Sequence, residues 1–256
     1  VIILEYMWLL LSALFGLAVG SFLNVLVVRL AASETLGGRS RCRNCGTQLK
    51  WYHNIPLLSF VVLRGKCVFC RRVISWQYPA VEAAAGSLFV LGAWVLPAGD
   101  WLALITFLVL ATYAVTLFVF DFRFKLLPDV LTLSGAAALV LLNLVRGFSP
   151  FSLLAGVVVA AGLFGVQYLL SRGRWIGSGD IRLGALMGAA LGWPHVVVAL
   201  ALAYWAGALA GIALMLFKRY GLKSELPFGT FLTASTVVTF LWGSELIDWY
   251  LRFVGV

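Results

Sequence analysis

Long apolar segments dominate the sequence and restrict the chain to a small set of folds. Of its 256 residues, 62% are hydrophobic and only 11% are charged. A helix needs about 20 mostly apolar residues to cross a bilayer, and in lipid its backbone must satisfy its own hydrogen bonds. The segments do not alternate as barrel strands do. We therefore expect an all-α polytopic membrane protein with about eight transmembrane helices, at residues 2–30, 80–97, 101–120, 128–145, 151–170, 181–193, 194–217 and 228–251. The sixth segment is too short to cross alone.

The basic residues favour one orientation of these helices. The formal charge of +9 could by itself indicate nucleic-acid binding. With eight spans, however, 17 of the 19 Lys and Arg residues fall on one set of loops and helix ends, and only Arg146 and Arg252 fall on the other. Because Lys and Arg favour the cytoplasmic side, we expect the loop at 31–79 inside and both termini outside. The charge then marks topology and a lipid-facing surface, and we expect membrane lipids rather than nucleic acid as partners.

Four cysteines in the predicted cytoplasmic loop have the spacing of a metal site. They form two Cys-x-x-Cys pairs, Cys42 with Cys45 and Cys67 with Cys70. Two such pairs about 20 residues apart indicate a zinc ribbon. Two disulfides are the alternative, which the reducing cytoplasm disfavours. We expect a structural Zn²⁺ in a small zinc-ribbon-like insert, because four thiolates leave no open position for a reacting water.

Three aspartates border the predicted spans at their cytoplasmic ends. Asp121 ends the third span, Asp129 follows Pro128 at the start of the fourth, and Asp180 starts the sixth. Each has a structural alternative: Asp129 and Asp180 suit the positive end of a helix, and Asp121 could pair with a nearby cation. Two carboxylates brought together would instead share a proton and could act as acid and base. We also expect the glycines at 177 and 179 to present Asp180 on an extended segment.

Several motifs together resemble those of bacterial type IV prepilin peptidases. They cover nearly the whole chain and read SFLNVLVVRL at 21–30, the paired CxxC, WYHNIPLLSF at 51–60, LRGKC at 63–67, ISWQYPAVE at 74–82, DFRFKLLPDVLTL at 121–133, GSGDIRLGALMGAALGW at 177–193 and LPFGTFL at 226–232. The resemblance implies an intramembrane aspartic peptidase with a GxGD motif, whose catalytic pair is Asp121 and Asp180. It implies that the substrate is a prepilin or pseudopilin precursor, in which a short basic leader precedes an N-terminal hydrophobic helix. The leader would be removed at the cytoplasmic face of the bacterial inner membrane.

The resemblance also implies N-methylation of the new amino terminus with S-adenosylmethionine as methyl donor. The chain has no glycine-rich fingerprint for that donor, so its site stays unassigned among residues 21–29, the zinc loop and Glu82. The predicted domains are the first helix at 1–30, the zinc-binding loop at 31–79, which with that helix forms the methyltransferase part, and the peptidase core at 80–256.

A substrate-binding loop is expected beside the carboxylates. We expect Gly177, Gly179, Pro227, Phe228 and Gly229 to hold an extended substrate strand there. The sequence departs from the family pattern at His53, where an acidic residue is frequent, and at Thr230, where proline is frequent. The alternatives are a peptidase without methylation, a proton-coupled transporter and a non-catalytic assembly protein, and only a peptidase shortens a precursor.

Overall fold

The computed structural model describes residues 2–217 and 226–255, with side chains from residue 6 onward, and this part of the chain is helical. The helices are α1 Ile2–Ala31, a 3₁₀ turn Trp51–Asn54, α2 Leu58–Val62, α3 Gln77–Val95, α4 Trp101–Phe124, α5 Asp129–Val145, α6 Pro150–Ser171, α7 Ser178–Leu191, α8 His195–Leu216 and α9 Phe228–Val254. The only β pairing among the described residues is two isolated bridges in the cysteine loop. The all-α fold class is confirmed.

Six of these helices are long and apolar enough to cross a membrane: α1 (from Tyr6), α3, α4, α6, α8 and α9. Helix α5 has 17 residues and α7 only 14. At 1.5 Å per residue α7 is about 21 Å long, short of the roughly 30 Å hydrocarbon layer. Every predicted span therefore corresponds to a helix, but the count of eight membrane crossings stays a prediction. Three residues of the predicted inner side, Lys218, Arg219 and Lys223, lie outside the described residues.

The chain divides into two compact units, residues 1–98 and 99–256. In the first unit α1 packs along α3 through two glycines. A Cβ added at Gly16 would lie 2.8 Å from the Ala85 carbonyl oxygen, and one at Gly20 would lie 2.7 Å from the Glu82 Cα. Small residues thus let these helices approach closely, as such contacts do in lipid. The predicted functional domains at 1–30, 31–79 and 80–256 stay a prediction.

In the second unit α7 lies against α6, α5 and α9. Its contact with α6 is tight enough to exclude side chains, because a Cβ at Gly188 would lie 2.4 Å from the backbone of Gly156. Most of α7 is buried, including Leu183, Leu186 and Met187. This packing places the first turn of α7, which carries Asp180, among the ends of longer helices.

Candidate active site and metal centre

Asp121 is held by the start of α9. It lies near the end of α4, is only 7% exposed, and its Oδ2 accepts a hydrogen bond from the backbone N–H of Thr230 at 2.9 Å. The first N–H groups of a helix have no partner inside that helix, so the first turn of α9 is free to donate. A Cβ at Gly229 would lie 2.9 Å from both Cγ and Oδ2 of Asp121. Only glycine at this position allows the turn to approach the carboxylate so closely.

Asp180 is the third residue of α7, outside the six candidate spans. Its Oδ2 accepts the backbone N–H of Gly177 at 3.1 Å, so it caps its own helix. The prediction that it stands on an extended segment is wrong: Gly177 is extended, but the helix begins at Ser178. The helix can start at Ser178 because the Asp180 carboxylate, at its third position, accepts the N–H of Gly177, which has no partner within the helix.

The structure brings Asp121 and Asp180 within electrostatic reach of each other. Burial raises the pKa of the Asp180 carboxyl to about 6, and the negative charge of Asp121 contributes to the rise. Like charges that approach one another make it harder for both carboxyl groups to ionise. The arrangement suits acid–base chemistry, and the catalytic role of the pair stays a prediction.

Asp129 has a different partner. It is the first residue of α5, after Pro128, and its Oδ2 lies 2.6 Å from Nη1 of Arg182 on α7. The helix-start position agrees with the structural alternative, and the ion pair adds a link between α5 and α7. Because Arg182 follows Asp180 by two residues, this link also steadies the turn that carries Asp180.

The residues predicted to form a substrate loop lie around the two carboxylates. A Cβ at Gly179 would lie 2.9 Å from the Leu127 Cβ, so a larger residue at 179 displaces the segment before α5. Pro227 immediately precedes α9, and the ring of Phe228 lies 5.1 Å from that of Tyr204. Sequence reasoning missed Tyr204 and noted Thr230 only as a departure. Thr230 lies in the first turn of α9, where N–H groups have no partner within the helix. That property was the signal that could have indicated Thr230 as a donor to a carboxylate.

The four cysteines form one cluster. Their Sγ atoms all lie within 4.8 Å of one another, and no disulfide joins them. A tetrahedral site with metal–sulfur bonds of about 2.3 Å has sulfur–sulfur edges of about 3.8 Å, and the Cys42 and Cys70 sulfurs are 3.8 Å apart. The hydroxyl of Thr47, 3.4 Å from the Cys45 sulfur, lowers the pKa of that thiol. Because the four sulfurs converge on one point, the cluster can bind a metal ion.

Each Cys-x-x-Cys pair is built as a tight knuckle. The N–H of Gly46 donates to the Cys42 carbonyl at 2.8 Å, and the N–H of Arg71 donates to the Cys67 carbonyl at 3.0 Å. Both donors have positive φ, +70° at Gly46 and +58° at Arg71. The repeated turn explains how two short sequences present four sulfurs to one point.

A second polar cluster ties the loop to α1 and α3. The buried Glu82 carboxylate accepts the N–H of Leu57 at 2.8 Å and interacts with the Ser21 side chain. Buried Asn24 donates to the Tyr78 carbonyl at 3.0 Å. The structure thus joins parts of all three segments considered for the methyl-donor site: the end of the first helix, the loop and Glu82.

Comparison with known proteins identifies the family. A model described as "Bacterial Peptidase A24 N-terminal domain" matches residues 14–96, and one described as "Type IV leader peptidase family" matches residues 108–212. A relative from Aeromonas salmonicida, named "Prepilin leader peptidase/N-methyltransferase", is 33% identical over 97% of this chain and 95% of its own length. This chain belongs to the type IV leader peptidase family. The resemblance expected from its motifs is confirmed.

Other family members match along nearly their full length. Proteins of the same name from Legionella pneumophila and Pseudomonas aeruginosa are 30% and 31% identical, covering 98% and 95% of this chain and 98% and 93% of their own lengths. No solved structure matches the chain. The first family region contains all four cysteines and Glu82, and the second contains Asp121, Asp129 and Asp180.

Proposed function

We propose that this protein removes the leader peptide from type IV prepilins or pseudopilins and N-methylates the new amino terminus. Family membership over nearly the whole chain carries this conclusion, because its relatives are named for both activities. The protein is a multi-pass protein of the inner membrane. The distribution of basic residues supports a cytoplasmic position for the cysteine loop and the carboxylates, with both termini outside.

Asp121 and Asp180 form the catalytic pair of the peptidase. Two carboxylates that share one proton provide a base to activate water and an acid to protonate the leaving amide nitrogen. The Thr230 N–H fixes the Asp121 carboxylate, and the cap to Gly177 fixes that of Asp180. Water must reach the scissile bond, and an extended substrate backbone is needed because a helix shields its peptide bonds. The turns at 177–179 and 227–229 adjoin the pair and hold that strand.

Zn²⁺ is the metal that best fits the four-cysteine cluster. Four thiolates at tetrahedral spacing suit Zn²⁺ and leave no position for substrate, so its role is to fold the loop. For methylation, S-adenosylmethionine supplies an electrophilic methyl group. Ser21, Asn24 and Glu82 are the polar groups of the first unit that fit such a donor, since a buried carboxylate suits its positive charge.

The peptidase proposal is tested with purified full-length protein and a prepilin precursor. We expect the unmodified protein to shorten the precursor, Asp121→Asn and Asp180→Asn each to abolish cleavage, and Asp129→Asn to keep measurable activity. Asp129→Asn is the matched control because it also removes one carboxylate charge at a helix end. If Asp129 is indispensable and Asp121 is not, the proposed pair is wrong. A transporter or an assembly protein would leave the precursor at its original length.

A further inference from the structure

An apolar groove lies between α6 and α8 in the second unit. It has a volume of about 530 Å³, and its walls include Val159, Gly162 and Leu163 of α6 and Val197, Ala201 and Tyr204 of α8. On α6 it runs from residue 159 to 166, which is about 11 Å or two helical turns. A Cβ added at Gly162 would meet nothing within 4 Å. The groove therefore has room for side chains from one face of another helix.

One end of the groove adjoins the carboxylate pair. The ring of Tyr204 lies 5.1 Å from that of Phe228, the residue just before the Gly229–Thr230 turn that holds Asp121. Tyr204 also lies within electrostatic reach of Asp180. The groove thus leads from the lipid-facing surface of α6 and α8 to the proposed site of cleavage.

A polar bridge marks this end of the groove. The amide of Gln167 on α6 donates to the Tyr204 hydroxyl at 2.7 Å. Polar groups within membrane-spanning helices are rare and usually serve a function. A lipid acyl chain has no group to bond with this pair. The Tyr204 hydroxyl also lies 3.1 Å from Oε1 of Gln167, so the two side chains bond to each other. The Gln167 amide keeps a second N–H, and a peptide that leaves its helical conformation beside the carboxylates has unpaired backbone carbonyls that need such a donor.

We propose that this groove binds the apolar helix that follows the cleavage site of a prepilin precursor. This inference rests on the proposed function and names where its substrate docks. On the proposed topology the groove extends from Tyr204 towards the outer face, and a precursor with its leader in the cytoplasm directs its apolar helix the same way. Gly162 and Ala201 allow close approach, since helix association in lipid depends on packing against small residues.

Photocrosslinking tests the docking directly. Benzoylphenylalanine is placed at position 163, or at 154 as the control, in the full-length protein reconstituted in lipid vesicles with precursor. Both positions are exposed leucines of α6, but Leu163 lines the groove and Leu154 does not. The probe replaces a large side chain at either position and leaves the space at Gly162 open. We expect at least tenfold more enzyme–precursor adduct from position 163. Equal yields, or adducts with lipid alone at position 163, would overturn the proposal.

Kinetics with a filled groove give a second measurement. Gly162→Phe occupies the space without touching either carboxylate, so we expect at least a tenfold higher KM for full-length precursor with kcat within twofold. Gly165→Phe should leave both constants within twofold, because Gly165 does not line the groove. An unchanged KM for Gly162→Phe, or a fall in kcat alone, contradicts docking in this groove. Failure of the proposed function looks different, because the unmodified protein would then leave the precursor uncut.

Discussion

Substituting Gly229 by alanine tests the geometry around Asp121. The new Cβ would lie 2.9 Å from both Cγ and Oδ2 of Asp121. Carbon atoms in ordinary contact are about 3.5–4.0 Å apart, so the carboxyl and the turn must separate by roughly 0.6 Å or more. The Thr230 N–H, now 2.9 Å from Oδ2, moves with the turn. Gly229→Ala therefore displaces the carboxylate without removing it.

The expected loss of activity follows from this displacement. A misplacement of about 1 Å can cost a factor of roughly 100 in rate. A lost hydrogen bond to a charged group costs about 1.5–3 kcal/mol, which corresponds to roughly 10- to 100-fold. We expect kcat to fall about 10- to 100-fold. Alanine is more stable than glycine within a helix by about 0.5–1 kcal/mol, which offsets part of the overpacking cost of about 1–3 kcal/mol. The net loss of stability is therefore small, and we expect the variant to stay folded.

The effect is measured as the rate at which purified protein cleaves a prepilin precursor, monitored by the change in precursor length. Gly211→Ala is the matched control, because its Cβ would make only an ordinary contact at 3.5 Å with Leu226. The control should cleave at the unmodified rate. If Gly229→Ala also cleaves at that rate while remaining folded, Asp121 is not held by this turn during the reaction.

Three further substitutions test other contacts. Cys45→Ser removes one of four thiols and should lower the bound metal per chain, measured by elemental analysis; unchanged metal content contradicts a four-thiolate site. Glu82→Ala leaves the Leu57 N–H without its acceptor and should destabilise the loop by about 1–3 kcal/mol, seen as faster proteolysis of residues 50–65, whereas Glu82→Gln keeps an acceptor and should lose less. Asn143→Ala leaves two carbonyls at the end of α7 without their donor and should lower both thermal stability and cleavage rate; an unchanged melting temperature refutes the importance of this cap.

Apolar segments predicted where the helices lie, but not where each begins and ends. Helix α3 begins at Gln77, before the predicted start at residue 80. Pro79 does not prevent this, because it lies within the first turn of the helix, where proline is tolerated. Helix α4 continues to Phe124, past the predicted residue 120. Hydropathy falls at Asp121, but a charged residue does not stop a helix. Asp121 consequently lies on a helix and not in the loop after it.

The sequence distinguished the site residues by type but could not supply their partners. The Thr230 N–H that binds Asp121 belongs to the main chain, which carries a donor at every residue except proline. Asp129 and Asp180 both occupy a first helical turn, so local sequence treats them alike. Tertiary packing separates them: Asp129 meets Arg182, whereas Asp180 lies within reach of Asp121.

The short length of α7 explains how Asp180 comes to lie beside Asp121. The far end of α7 is anchored by α5, since Asn143 donates to the carbonyls of Ala189 and Ala190 at 2.8 and 3.0 Å. Backbone groups freed within membrane depth need such protein partners. Because α7 extends only about 21 Å from this anchor, its first turn reaches no further than the end of α4 that carries Asp121, with Ser178 exposed and Asp180 half-buried. A longer, fully apolar α7 would carry Asp180 past Asp121 into solvent.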